Sequence, residues 1–136
     1  MTTYEATVSW QRGGVAFTDL AYSRAHSWRF DGGITVPASA SPAHVPRPHS
    51  VDAAVDPEEA FVASLSSCHM LWFLFLAAQA GWVVDGYEDV ALGTMGHDAD
   101  GRLALIEVVL RPRIVFAARQ PTPAEVEGLH EVAHHR

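Results

Sequence analysis

Residues Asp56–Gly81 read DPEEAFVASLSSCHMLWFLFLAAQAG, and this stretch decides the fold. Asp56 suits an N-cap, Pro57 suits the first helical position, and Glu59 stands three residues after the cap. Gly81 is a natural stop. These bounds predict one helix of about 24 residues, roughly 36 Å long at 1.5 Å per residue. From Phe61 onward the helix is apolar on almost every side, which implies either burial all round or a membrane. The unbroken apolar run is only Met70–Ala78, and Ser64, Ser66, Ser67, His69 and Gln79 interrupt the rest. A bilayer span needs ~20 predominantly apolar residues. The expectation is therefore a buried core helix and no membrane. A chain of 136 residues has few other elements with which to wrap such a helix. The remaining cover is expected from a second subunit.

The rest of the composition narrows the class. The length fits one domain, and a hydrophobic content of 49% is ample for a core. A formal charge of −7 argues against general nucleic-acid binding, which needs a basic face. Lysine is absent and all nine basic residues are arginine, so any arginine near the core is a fixed charge or a bidentate clamp. The single cysteine, Cys68, cannot form an internal disulfide, which suits a reducing interior. The start, MTTYEATVSW, lacks the basic and apolar regions of a signal peptide. A soluble cytoplasmic protein is the expectation.

Outward from the helix, alternation and β-formers predict a strand over 3–10, a return strand beginning in 15–18, and another strand over 21–30. In the last of these, Tyr22, Arg24, His26, Trp28 and Phe30 would share one face. Asp31-Gly32-Gly33 is a turn signal before a short strand, Ile34–Val36. Residues 37–55, with four prolines, form a long loop that only packing can order. After the helix, Trp82–Met95 reads as a strand that is irregular near Asp85-Gly86. Leu103–Phe116 reads as its hairpin partner, bent by Pro112. Pro123 to about His135 reads as a last helix, with Thr122 as N-cap and Glu125 completing a capping box. The order β-β-β-α-β-β-α gives an α+β fold.

A lone cysteine inside an apolar helix is ordinarily an inert small hydrophobe. Burial raises a thiol pKa, and the middle of a helix offers no dipole to lower it. A reactive Cys68 therefore needs an imported cation. Arg24 and Arg29 are the candidates, and strand parity selects Arg24 as the one facing inward. Glu58 precedes Cys68 by ten residues, which is ~15 Å of rise and ~80° of rotation on a straight helix. The two cannot touch within one regular helix. If they share a site, the helix must start late or kink, or Glu58 must reach the Cys68 of a partner subunit; otherwise Glu58 serves simply as a carboxylate on the helix dipole.

The stretch VDPEEAFVASLSSCHM (Val55–Met70) resembles the OsmC/Ohr family of thiol-dependent hydroperoxide reductases, in particular its OsmC-like branch. So do YSRAHSWRFDGG followed by VPASASP (Tyr22–Pro42), and LHEVAHH (Leu129–His135). The resemblance implies an intertwined α+β homodimer with two active sites at the interface. It implies that Cys68 is the peroxidatic cysteine, activated by Glu58 and an arginine, here assigned as Arg24. The substrate is an organic or fatty-acid hydroperoxide, no cofactor is needed, and the protein serves antioxidant defence. A pocket lined by Phe61, Trp72, Phe73 and the 37–55 loop would suit bulky apolar peroxides. The family's second cysteine follows the Ala-His of the last helix by three positions, and here Ala133-His134 is followed only by His135 and Arg136. The expectation is one OsmC-like domain over 1–136 without that cysteine: either the natural chain continues beyond Arg136 or the resolving step is lost. In the second case an external thiol or dithiol would reduce oxidised Cys68, and a non-catalytic or redox-sensing dimer is the alternative.

One other motif competes. His130-Glu131-Val132-Ala133-His134 is a literal HExxH, the arrangement of zinc hydrolases. A catalytic zinc needs a third ligand, usually well downstream, and only two residues follow. A polar face of a terminal helix is the plainer reading, with no metal site.

Overall fold

The computed structural model describes residues 1–136. They separate into two compact units, Met1–Ala60 and Phe61–Arg136.

The first unit holds an antiparallel sheet in the order β1-β2-β3, formed by β1 (Ala6–Ser9), β2 (His26–Phe30) and β3 (Thr35–Ala38). The strand expected over 21–30 is shorter than its pattern, and 15–18 forms no strand. Local side chains take the backbone first. Asp19 Oδ1 accepts from Ala21 N–H, and Ser23 Oγ accepts from Ala25 N–H. Such short-range bonds compete with a ladder. Leu20 also sits at φ 65°, which no strand tolerates. The 37–55 loop is ordered by bonds back to its own start. Ser39 N–H donates to Val55 O, Val55 N–H donates to Pro37 O, and the buried Ser39 Oγ accepts from Val51 N–H.

Helix α1 (Pro57–Gln79) starts in the first unit and continues unbroken into the second. Its ends follow from its sequence. Asp56 Oδ1 accepts from Glu59 N–H while Glu59 Oε1 accepts from Asp56 N–H, a reciprocal cap. At the other end Gly81 adopts φ 86°, a left-handed residue that glycine takes without strain.

The second unit adds β4 (Val83–Asp89), β5 (Leu92–His97), β6 (Leu103–Val109), β7 (Pro112–Ala117) and α2 (Pro123–His134). The two long strands expected here are each broken in two. The inner pair β5–β6 is a hairpin, and the outer pair is β4–β7. The break has a chemical cause: Asp89 Oδ1 accepts from Arg111 N–H, Arg111 Nε donates to Val90 O, and Pro112 has no N–H to give. The expected irregularity near Asp85-Gly86 is present as a register shift between Val84 and Gly86. Gly93 lets β5 approach α1 closely, because a Cβ there would meet Val62 Cγ2 at 2.5 Å. Helix α2 carries the expected capping box between Thr122 and Glu125.

Phe73 and Ala77 of α1 are wholly enclosed, with Leu76 and Ala133 beside them. Val84, Tyr87, Ile114, Phe116, Val126 and Leu129 pack around this core. Within the single chain α1 is therefore buried on one face only. Phe61, Leu65, Leu71 and Phe75 remain exposed within the single chain.

Candidate active site

Cys68 lies near the middle of α1 and its thiol is exposed. At 100° per residue, Phe61, Cys68, Leu71 and Phe75 fall within an arc of about 80°, opposite the core-facing Phe73 and Ala77. The thiol thus sits on an exposed apolar stripe. Because α1 is unbroken from Pro57 to Gln79, Glu58 lies in its first turn and cannot meet Cys68 along the same helix.

Glu58 is poised rather than satisfied. His44 Nε2 lies 3.7 Å from its Oε1, while its Oε2 is buried without any hydrogen-bond partner. An unpaired buried carboxylate oxygen is costly, and its natural complement is a donor.

Arg24 belongs to a cavity of about 360 Å³ within the first unit, lined among others by Trp10, Phe17, Tyr22, His26 and Pro57. Its guanidinium lies 3.7 Å from the centre of the Tyr22 ring. Nη1 donates to Leu20 O at 3.0 Å and to Tyr22 O. Tyr22 in turn stacks on Phe17 and meets Trp10 edge-on. Arg29 is exposed on β2, its Cα opposite Thr7 and Thr35. The parity argument that favoured Arg24 does not apply, since residues 21–25 form no strand. Arg24 nonetheless is the arginine that lines the cavity. Trp10 and Phe17 escaped the sequence reading, and their only signal was the density of aromatic residues before residue 31.

The three expected pocket residues part company. Phe61 is exposed. Trp72 is half-buried, edge-on to Phe75, with the Arg136 guanidinium 5.3 Å from its ring centre. Phe73 has no exposed surface and stacks on His130 at 4.4 Å, so it is a core residue and not a pocket wall. The helical period places it on the face away from Phe61.

The HExxH histidines are used differently from a zinc site. His130 Nδ1 faces His69 Nε2 at 2.9 Å with the ring planes 10° apart, so one nitrogen donates and the other accepts. Burial holds both imidazoles below their usual pKa. His134 pushes His69 further down and His69 does the same to His130, while Asp89 opposes both. No three His, Cys, Asp or Glu side chains stand together in a metal-binding group, and the first histidine of the motif has its Nδ1 engaged by His69. Nearby, Asp89 accepts from Ser66 Oγ at 2.5 Å, and burial followed by Asp89 raises the Tyr87 hydroxyl to about 12.

A family model for OsmC-like proteins matches residues 50–136. The chain belongs to the OsmC/Ohr family. An OsmC-like protein of unknown function from Vibrio cholerae is 51% identical, with a TM-score of 0.97 over 99% of this chain and 89% of that one. An organic hydroperoxide resistance protein from Elizabethkingia anophelis shares the fold at 22% identity, with a TM-score of 0.71 over 99% of this chain and 83% of its own. One from Legionella pneumophila does so at 18% identity, with a TM-score of 0.70 over 99% and 84%. No curated protein sequence matches the chain. The OsmC-like fold is a soluble domain. Helix α1 therefore has a place in that domain although it is long and apolar enough to cross a bilayer.

Proposed function

We propose that this OsmC-like protein is a thiol peroxidase that reduces organic or fatty-acid hydroperoxides through Cys68. The observation that carries the reading is the sole thiol of the chain, exposed among apolar side chains in the helix that the family model covers. The Cys68 thiolate attacks one oxygen of the hydroperoxide, the O–O bond breaks, and the alkoxide leaves and takes up a proton as the alcohol. The sulfur loses two electrons and becomes a sulfenic acid; the peroxide gains them. An external thiol then attacks the sulfenic sulfur and releases water. A second external thiol reopens the mixed disulfide, returning Cys68.

The activating groups come from the first unit. Arg24 supplies a fixed positive charge that stabilises the thiolate. Glu58, with one oxygen unpartnered, orients that guanidinium or the thiol itself. Since α1 keeps Glu58 and Cys68 apart along one helix, the site is completed across a homodimer, Arg24 and Glu58 of one chain meeting Cys68 of the other. The aromatic cavity beside Arg24 and the exposed Phe61 favour apolar peroxides. Consumption of cumene hydroperoxide and of hydrogen peroxide, each with dithiothreitol as reductant, tests the reading. A faster turnover of cumene hydroperoxide supports it, and a preference for hydrogen peroxide defeats the substrate assignment.

A further inference from the structure

Residues 21–25 lie outside every ladder, yet the backbone of Arg24 is pinned at both of its polar groups. Its N–H donates to His49 O at 2.7 Å. Its carbonyl meets His26 Nδ1 at 2.7 Å. The other ring nitrogen, His26 Nε2, lies 3.1 Å from Trp28 Nε1. The two contacts fix the imidazole state between them. An indole N–H can only donate, so Nε2 must accept. A carbonyl can only accept, so Nδ1 must donate. Of the three states open to a histidine, only the neutral Nδ1–H tautomer meets both demands. The opposite tautomer loses both bonds, and the imidazolium loses the one from Trp28.

From this geometry we infer that His26 is a positioning residue for Arg24. Trp28, on the regular strand β2, sets the tautomer; His26 carries that order to the Arg24 carbonyl. The Tyr22 ring and the Leu20 and Tyr22 carbonyls then hold the guanidinium at the aromatic cavity. The relay replaces the missing ladder, giving an irregular segment the rigidity that a functional arginine needs. Its catalytic consequence rests on Arg24 acting as the activating arginine of the peroxidase; its structural content does not.

Two measurements on the full chain separate these. The first is the ¹⁵N spectrum of the histidine rings at neutral pH. It should show His26 with a protonated Nδ1 and an unprotonated Nε2, and the Trp28→Phe variant should lose that fixed tautomer. A protonated Nε2, or an unchanged spectrum in Trp28→Phe, overturns the relay. The second is the single-turnover rate of Cys68 oxidation by cumene hydroperoxide. His26→Ala should slow it about tenfold. His26→Asn, whose amide nitrogen takes the place of Nδ1, should restore most of that rate, whereas His26→Gln should not. In an Arg24→Ala background the His26→Ala change should cost nothing further. Should Arg24→Ala slow oxidation and His26→Ala leave it unchanged, the positioning role is wrong and the peroxidase reading stands. Should wild-type Cys68 fail to oxidise, the peroxidase reading falls, and the ring spectra alone decide the relay. A His26→Ala variant that does not fold leaves the decision to Trp28→Phe, read by both methods.

Discussion

The exposed stripe of α1 supplies a prediction whose size can be worked from the structure. Leu71 keeps 61% and Phe75 55% of its surface exposed in the single chain. Complete burial of a Leu or Phe side chain stabilises by ~1.5–3 kcal/mol, so the remaining half is worth about 1 kcal/mol per residue when a second copy covers it. A two-fold dimer buries each residue twice. The double variant Leu71→Ala/Phe75→Ala should then lose about 4 kcal/mol of association free energy, a weakening on the order of a thousandfold. Sedimentation velocity across a concentration series measures this directly. Phe73, which holds the core, is untouched, so the variant's far-UV circular dichroism should match that of the wild type. A wild type that is monomeric at every concentration, or a dissociation constant that moves less than about tenfold, refutes the two-chain site.

Three further outcomes follow from the second unit. Phe73→Ala should cost about 3–5 kcal/mol in urea denaturation, because it empties a fully enclosed ring site against Tyr87 and His130. Tyr87→Phe should be neutral or stabilise by about 1 kcal/mol in the same assay, since it removes a buried hydroxyl that has no hydrogen-bond partner. The His69–His130 pair sets a pH dependence. Both folded-state pKa values lie below the unfolded 6.5, so the unfolded chain binds more protons as the pH falls past that value. The pair's contribution is complete above about pH 6.5 and is lost below it as pH falls through the folded values. The urea midpoint should fall correspondingly on acidification, and His69→Gln/His130→Gln should flatten that slope.

What could be read from the sequence was what is local. The caps of α1 and α2 depend on residues within four positions of each other, and Asp56, Glu59, Gly81, Thr122 and Glu125 all act as their spacing suggests. Pro112 announced a break in its strand, but the companion break at Asp89–Val90 depends on a bond to Arg111, 22 residues away. The alternation over 21–30 becomes a strand only from His26 because Asp19 and Ser23 bend the chain through short bonds that an alternating pattern does not reveal. The helix that is apolar all round hid its own orientation. Phe61, Trp72 and Phe73 look equivalent in sequence, and only packing against β4, β7 and α2 decides that Phe73 is core and Phe61 is not. Likewise the HExxH pattern concealed that His130 spends a nitrogen on His69, 61 residues earlier. The motif around Cys68 carried the family, and the aromatic setting of Arg24 emerged only in three dimensions.

Whether Cys68 is a peroxidatic thiol is decided by the intact mass of the reduced protein after one equivalent of cumene hydroperoxide in the presence of a sulfenic-acid trap. A peroxidatic Cys68 should give a rapid trapped adduct, slowed at least about tenfold by Arg24→Ala, since a hydrogen-bonded charge contributes ~1.5–3 kcal/mol. No adduct within minutes would contradict that role and leave Cys68 a structural residue of the apolar face.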